Sequence, residues 1–445
     1  LEVYGEPDKV EKKMVARKHN HLVGTYRNRG WMKFWVNSNE RREFDRITFN
    51  PEAVGHSEYE YNLFNGLAHP GPKADKKGNP PKLDALMIKC RPLIQHIDRL
   101  WCQGNRKHAR FTMKWFAHQV QRPGVKMGSS IVLRGDEGCG KGVVIQLLAE
   151  VLGLEHFYQV QDAENTLFSR FTPENFERCL LLFVDEAVWG GSRAQAGKLK
   201  KLVTEALHDI EHKHGVRFTV RSFLNLIFAS NERWVVPTGF KARRFFCLDV
   251  EFPKVASLVA YFKAIRDIPI EAFANLLHLL DITDFNPRCV PVTDMLRDQK
   301  RRRFDSVAAF WDDLLQNGKI LVPYEHVSGD SALDPSKGSL ANVKLERDWG
   351  KPIPNDELFA MYKEHRGQGS RGGEITRASD LIRELRNLCE FGNKGKCQRT
   401  VDGLRKYVTV LPTLEQAKKH FCEKLDDPLW FSSREGLDDE EDKES

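Results

Sequence analysis

The sequence predicts an α/β fold built around a parallel sheet, and two patterns predict it. Between residues 130 and 252, short apolar runs alternate with segments of helical periodicity, as β–α–β crossovers require. Within that stretch a glycine-rich run, GDEGCGK (135–141), joins an apolar run to a helical one. Taken in order, SIVL (130–133) reads as a buried strand and VVIQLLAEVL as a helix closed by Gly153. CLLLFVDE (179–186) reads as a second buried strand and KLKKLVTEALHD (198–209) as a helix. LNLIFASN (224–231) and RRFFCLDVEF (243–252) are the third and fourth strands. Helical spacing also runs from Leu83 to Gln121, up to the breaker Arg122-Pro123-Gly124, and again over 256–318. A mixed helix–strand region follows to about Phe431.

These patterns imply a poorly ordered leader (1–30), an N-terminal mostly helical region (31–122), an α/β core (123–253), a helical region (254–318), a C-terminal domain (319–432) and a disordered tail (433–445). A chain of 445 residues exceeds one ordinary core. No apolar run reaches the roughly 18 residues of a membrane span, and no signal peptide is visible, so a soluble intracellular protein is expected. The first residue is Leu1, which suggests a piece of a longer polypeptide. The nine cysteines lack C-x-x-C spacing, and free thiols in a reducing compartment are favoured over a zinc site at Cys389 and Cys397. Net charge is +7, but the tail from Arg434 to Ser445 carries −5, which leaves the body at +12. A body that basic favours a polyanionic partner, with a solvated surface as the plainer alternative.

The run Gly135 to Lys141 fits G-x-x-x-x-G-K between a strand and a helix, the context a phosphate loop needs. Gly135, Gly138 and Gly140 free backbone N–H groups to turn toward phosphate oxygens, and Lys141 reaches the β- and γ-phosphates of ATP. Gly142 stands where a magnesium-binding hydroxyl is expected, and Val143 and Val144 offer no substitute. Asp185 and Glu186 end the second strand, so Asp185 is the candidate Mg²⁺ ligand and Glu186 the candidate general base. A helix cap is the plainer reading of that pair. Asn231 ends the third strand and is placed to orient the attacking water or sense the γ-phosphate. Arg243 and Arg244 are candidates to neutralise charge on the transferring phosphoryl, from a neighbouring subunit; a surface pair before an edge strand is the alternative. Asp136 and Glu137 are expected to face solvent. The basic run RDQKRRRF (297–304) is expected to face solvent as well, with nucleic-acid contact as the alternative.

Lys141, Asp185–Glu186 after 44 residues and Asn231 after 46 more resemble, in that order, the superfamily 3 helicases of viruses and mobile elements. The flanking segments YNLFNGLAHP (61–70), KARRFF (241–246), VPVTDMLRDQKRRRFDSVAAFWDDLL (290–315), DWGKPIPNDELFAMY (348–362) and LPTLEQAKKHF (411–421) are similar to the helicase part of phage and poxvirus primase–helicases and of NrS-type primase–polymerases. The resemblance implies an AAA+-like P-loop ATPase core with a winged-helix-like C-terminal part. It implies ATP with Mg²⁺, single-stranded DNA as partner, a homo-hexameric ring, and replication of viral or mobile-element DNA. Residues 198–223 then read as a helix and a hairpin turning at His214-Gly215, and the resemblance puts Lys213 and His214 in a DNA channel; a plain hairpin turn is the alternative. One of Lys198, Lys200 and Lys201 is expected near the phosphates of an adjacent subunit. No primase or polymerase pattern is present, so that activity is expected upstream or on a separate chain. The alternatives are an RNA helicase of the same superfamily and a decayed ATPase that binds nucleic acid without turnover.

Overall fold

The computed structural model describes residues 37–39, 41–72, 81–160, 174–186, 193–210, 218–323, 344–367, 375–392 and 397–432, with a few isolated or backbone-only positions besides. The leader, the acidic tail and residues 211–217, with Lys213 and His214, lie largely or wholly outside the described residues. The chain divides into two compact units, Leu1–Asn65 and Gly66–Ser445.

In the first unit, strands β1 (Glu2–Tyr4) and β2 (Lys13–Val15) pair antiparallel, and β3 (Arg46–Thr48) and β4 (Glu60–Asn62) pair parallel. Buried Asn62 holds the loop between the latter two: its Nδ2 donates to Asn50 O and Ala53 O, and its Oδ1 accepts from Asn50 N. His56 stacks on Tyr61 with ring centroids 4.2 Å apart.

The second unit opens with helices α1 (Leu83–Lys89), α2 (Arg91–His96) and α3 (Arg106–Gln121). A π-helical turn, Ile97–Trp101, continues α2 directly from His96. Asn105 caps α3 by accepting from His108 N, and Phe111, Trp115, Phe116 and Val120 supply its buried face. The central sheet follows: β5 (Ser130–Arg134), α4 (Lys141–Leu152), β6 (Phe157–Val160), β7 (Leu181–Val184), α5 (Arg193–Thr204), the antiparallel pair β8 (Leu207–Ile210) and β9 (Phe218–Arg221), then β10 (Asn225–Ser230) and β11 (Phe245–Asp249). The strand order is β11-β5-β10-β7-β6 and every pair is parallel.

Alternation along these strands builds two cores. Ile131, Leu133, Leu181, Phe183, Ile227, Ala229, Phe246 and Leu248 face one core, shared with α3, α4 and α7 (Ile270–Leu279). Val132, Leu182, Val184, Leu226, Phe228, Phe245 and Cys247 face the other, against Leu199 and Val203 of α5 and Met295 and Leu296 of α8 (Asp294–Arg302). Helix α6 (Leu258–Arg266) lies beside α4 and α2.

A separate core gathers α9 (Ser306–Asn317), β12 (Ile320–Pro323), β14 (Pro352–Pro354), α10 (Asn355–Gly367), α11 (Ala378–Leu388) and α12 (Leu414–Leu425). Strand β13 (Lys344–Arg347) pairs with β12, and β15 (Cys397–Val401) and β16 (Leu404–Val410) complete a sheet of order β14-β16-β15.

Three expectations need correction. The helix predicted over 198–209 ends at Thr204, and Leu207–Ile210 is a strand instead, because its backbone pairs with Phe218–Arg221. Phe157–Val160 is an unforeseen edge strand. The basic run 297–304 does not face solvent as a whole. Lys300 is 2% exposed and donates to Leu425 O, and Arg297 forks onto buried Asp427. Arg301 pairs with Asp312, and Arg302 with Asp298. The charges turn inward because carboxylates and a carbonyl await them there.

Candidate functional site

Strands β5, β10 and β7 are neighbours and parallel, so their carboxyl ends share one edge. That edge brings together Gly135–Lys141, Asn231 and Asp185–Glu186. Register makes the alignment close: Ser230 sits opposite Arg134, and Phe228 opposite Val184. Gly135 N donates to Ser230 O at 3.0 Å, which joins the loop to the asparagine strand.

The loop has little freedom. A Cβ on Gly135 would lie 2.6 Å from Val250 O. Gly140 has φ +94°, and a Cβ there would come within 2.6 Å of both His96 Cε1 and Phe262 Cε1. Gly138 is also left-handed, at φ +77°. Cys139 is buried beneath the loop, and burial raises its thiol pKa, so it is an anchor and not a nucleophile. Asp136 and Glu137 are exposed, as expected. Lys141 opens α4, and its Nζ donates to Gly135 O at 2.6 Å and Asp136 O at 2.8 Å. Its charge therefore lies in the mouth of the loop. At Gly142 a Cβ would meet no atom within 4 Å.

Asp185 is half-buried, and its N donates to Val160 O at 2.9 Å. Its Oδ2 accepts from Gln159 Nε2 at 3.2 Å and its Oδ1 from Glu186 N at 3.1 Å. Glu186 is exposed and left-handed, at φ +54°. A non-glycine residue pays a steric penalty in that region, and Glu186 takes it directly after Asp185 at the strand end.

Asn231 is exposed at the end of β10. The loop after it is clamped from below: Gln299 Nε2 donates to Arg233 O at 2.7 Å, and Gln299 Oε1 accepts from Val235 N at 2.9 Å. Arg134 Nη1 also reaches Arg233 O, at 3.2 Å, while its guanidinium pairs with Asp249 and Asp298.

Arg243 and Arg244 are not part of this cluster. They precede β11, whose first residue, Phe245, pairs with Ser130 at the start of β5. They therefore sit at the opposite edge of the sheet, on the order of 15 Å from the glycine-rich loop for a five-residue strand. Arg244 is half-buried and lines a cavity of about 160 Å³ with Lys200, Lys241, Gly239, Ala242 and Phe245. Of the three lysines on α5, Lys200 is the one beside Arg244. Burial lowers its pKa first, and Arg244 and Arg303 lower it further. Lys213 and His214 fall in sequence between β8 and β9, outside the described residues.

Sequence reasoning missed His96, Gln159 and Gln299. His96 stands alone in a helical run, Gln159 lies on an unrecognised edge strand, and Gln299 is hidden among basic residues. None of them carries a spacing signal. Among the described residues, no three His, Cys, Asp or Glu side chains gather as a metal-ligand group.

No helix among the described residues is long and apolar enough to cross a membrane. A model described as a family of unknown function, DUF5906, matches residues 133–244, from the last residues of β5 to Arg244. No curated protein matches the sequence. Among solved structures, the chain is similar to the apo structure of the NrS-1 C-terminal region, with a TM-score of 0.60 and 18% identity over 82% of this chain and 84% of that one. A second apo form of the NrS-1 C-terminal region gives a TM-score of 0.57 at 18% identity, over the same shares of the two chains. The likeness is one of fold: mixed α/β with a five-stranded parallel sheet.

Proposed function

We infer that this chain is a nucleoside-triphosphate-driven DNA helicase of a virus or mobile element, working as a homo-hexameric ring on single-stranded DNA. The observation that carries the reading is the shared edge of β5, β10 and β7, which sets Lys141, Asn231 and Asp185–Glu186 side by side. The AAA+-like core, the winged-helix-like C-terminal part and the superfamily belong to the same reading, which the likeness in fold to the NrS-1 C-terminal region supports.

The loop's fit to polyphosphate rests on its left-handed glycines and on the helix N-terminus that opens at Lys141. Lys141 would exchange the carbonyls of Gly135 and Asp136 for the β- and γ-phosphate oxygens of ATP. Asp185 would hold Mg²⁺, and Gln159 fixes the orientation of its carboxylate. Magnesium, when bound, offsets the charge of the phosphates. Asn231 orients the attacking water and Glu186 takes its proton as the water oxygen bonds to the γ-phosphorus and the bond to the ADP oxygen breaks. The open space at Gly142 leaves room for a water where a hydroxyl is expected. Arg244, with Lys200 beside it, would serve the nucleotide of an adjacent copy, and Arg243 extends from the same edge. Lys213 and His214 would grip the DNA backbone without regard to sequence.

The test is Mg²⁺-dependent ATP hydrolysis by the full chain, with and without single-stranded DNA, beside Lys141→Ala and Glu186→Gln. Turnover that rises with DNA and is lost in both variants is expected. Gly142 favours a second reading, an ATPase that binds nucleic acid without turnover. ATP bound but not hydrolysed by the parent chain at saturating magnesium would establish that reading. Stimulation by RNA but not DNA would move the substrate to RNA.

A further inference from the structure

His96 lies behind the phosphate loop, fully buried, at the end of α2 where the π-helical turn begins. Such turns recur at functional sites. Both of its ring nitrogens are engaged: Nε2 is 3.1 Å from Gly140 O, and Nδ1 is 2.9 Å from Tyr261 Oη. The two partners fix the tautomer. A carbonyl oxygen only accepts, so Nε2 carries the proton. Nδ1 then holds a lone pair and accepts from the Tyr261 hydroxyl. Burial lowers the pKa of His96 and keeps this neutral form.

The consequence for the loop follows from peptide geometry. The Gly140–Lys141 peptide is planar and trans, so its C=O and N–H point in opposite directions. With the carbonyl pinned on His96, the N–H of Lys141 is aimed away from the imidazole, out of the N-terminal end of α4, where anions are received. The same contact holds Gly140 in its left-handed conformation, packed without a Cβ between the rings of His96 and Phe262. Tyr261 and Phe262 belong to α6, which follows the last strand of the sheet. The phosphate loop is thus tied through one imidazole to a helix outside the sheet.

We propose that His96 is a positioning residue for the phosphate loop, setting the Gly140–Lys141 peptide for a nucleoside polyphosphate and coupling it to α6 through Tyr261. The proposal rests on the nucleotide-binding reading of the loop. It does not require hydrolysis or DNA.

The experiment titrates a fluorescent ADP analogue into the full chain and into His96→Gln, His96→Asn and Tyr261→Phe, with a melting curve for each and KM and kcat for ATP. A glutamine amide nitrogen can replace the Nε2 donor to Gly140 O, whereas an asparagine reaches only to the Nδ1 position. His96→Gln is expected to bind within about threefold of the parent, and His96→Asn about tenfold more weakly, as for the loss of one buried hydrogen bond. Tyr261→Phe, which leaves the imidazole in place, is expected to fall between them, with the change in KM and not in kcat. If Gln and Asn variants bind alike, His96 is only packing and the proposal is overturned. If neither histidine variant folds, Tyr261→Phe decides: parental affinity overturns the coupling, and a raised KM supports it. A parent chain that binds no ADP analogue overturns the nucleotide reading and this proposal with it, whereas a binding parent with equally good variants overturns this proposal alone.

Discussion

At Gly142 the candidate site departs from the motif it otherwise fits, and the structure makes the departure testable. A Cβ there meets nothing within 4 Å, and the residue sits in the first turn of a helix that tolerates side chains. Gly142→Ser is therefore expected to fold as the parent does and to lower the magnesium concentration for half-maximal hydrolysis several-fold, because a hydroxyl replaces a water as ligand. A magnesium titration of ATPase rate checks this, and an unchanged midpoint would mean the hydroxyl has no ligand role here. Gly140→Ala should behave in the opposite way. It meets two rings at 2.6 Å in a left-handed conformation, and nucleotide binding should be lost. That Lys141, Asp185–Glu186 and Asn231 meet at one edge was legible because their spacing follows strand ends. Those that hold them were not: His96 and Gln299 act through contacts with residues distant in sequence, which no local pattern records.

At the scale of elements, the four runs read as strands are strands, because two-sided burial demands nearly continuous apolar sequence. Phe157–Val160 escaped because an edge strand is only partly buried, and its burial shows no apolar run. The helix over 198–209 was read too long because Leu202, Val203 and Leu207 sustain a helical spacing; only pairing with Phe218–Arg221 reveals the strand. The basic helix α8 shows the same limit, since Asp427, the partner of Arg297, lies 130 residues along the chain. Gln299 on α8 makes that helix a floor under the loop after Asn231. Gln299→Ala would leave Val235 N without its acceptor and Arg233 O held by Arg134 alone, which costs about 1–3 kcal/mol. The expected result is a lower melting temperature together with a kcat reduced more than KM, since Asn231 is read as acting on the attacking water. A variant with parental kcat would detach α8 from the chemistry.

Across the whole molecule, titration and assembly each give an outcome. Lys126 lies beneath the β8–β9 pair, its Nζ donating to Ser222 Oγ at 3.4 Å, and burial lowers its pKa to about 7, partly offset by Glu205. Nearby His208 is lowered to about 4, first by burial and then by Lys126. For both groups the unfolded chain binds the proton more tightly than the folded one. Stability should therefore rise with pH, from about 4 to 6.5 through the histidine and from about 7 to 10.5 through the lysine. Lys126→Met should raise the melting temperature most below pH 7, and the gain should fade toward pH 10. A gain that does not vary with pH would mean that packing and not charge is the cause.

Assembly is the stronger test of the functional reading, because the sheet itself separates the two halves of the proposed chemistry. Lys141 and Glu186 stand at the carboxyl edge, and Arg244 stands at the other, beside Lys200 and Lys241 and with no acidic side chain among the residues lining their cavity. Cations gathered at one place suit an anion brought from elsewhere. Within one chain the sheet would keep that anion from being a nucleotide held at Lys141; in the proposed ring, the neighbour's nucleotide would meet it. Lys141→Ala and Arg244→Ala should each abolish turnover alone. Mixed before assembly, they should regain a fraction of it, because some interfaces then pair an intact Lys141 loop with an intact Arg244. Mixing Lys141→Ala with Glu186→Gln should restore nothing, since both lesions fall on the same edge. ATPase rate against mixing ratio distinguishes the two cases, and an Arg244→Ala chain that is fully active alone would remove this arginine from the reaction.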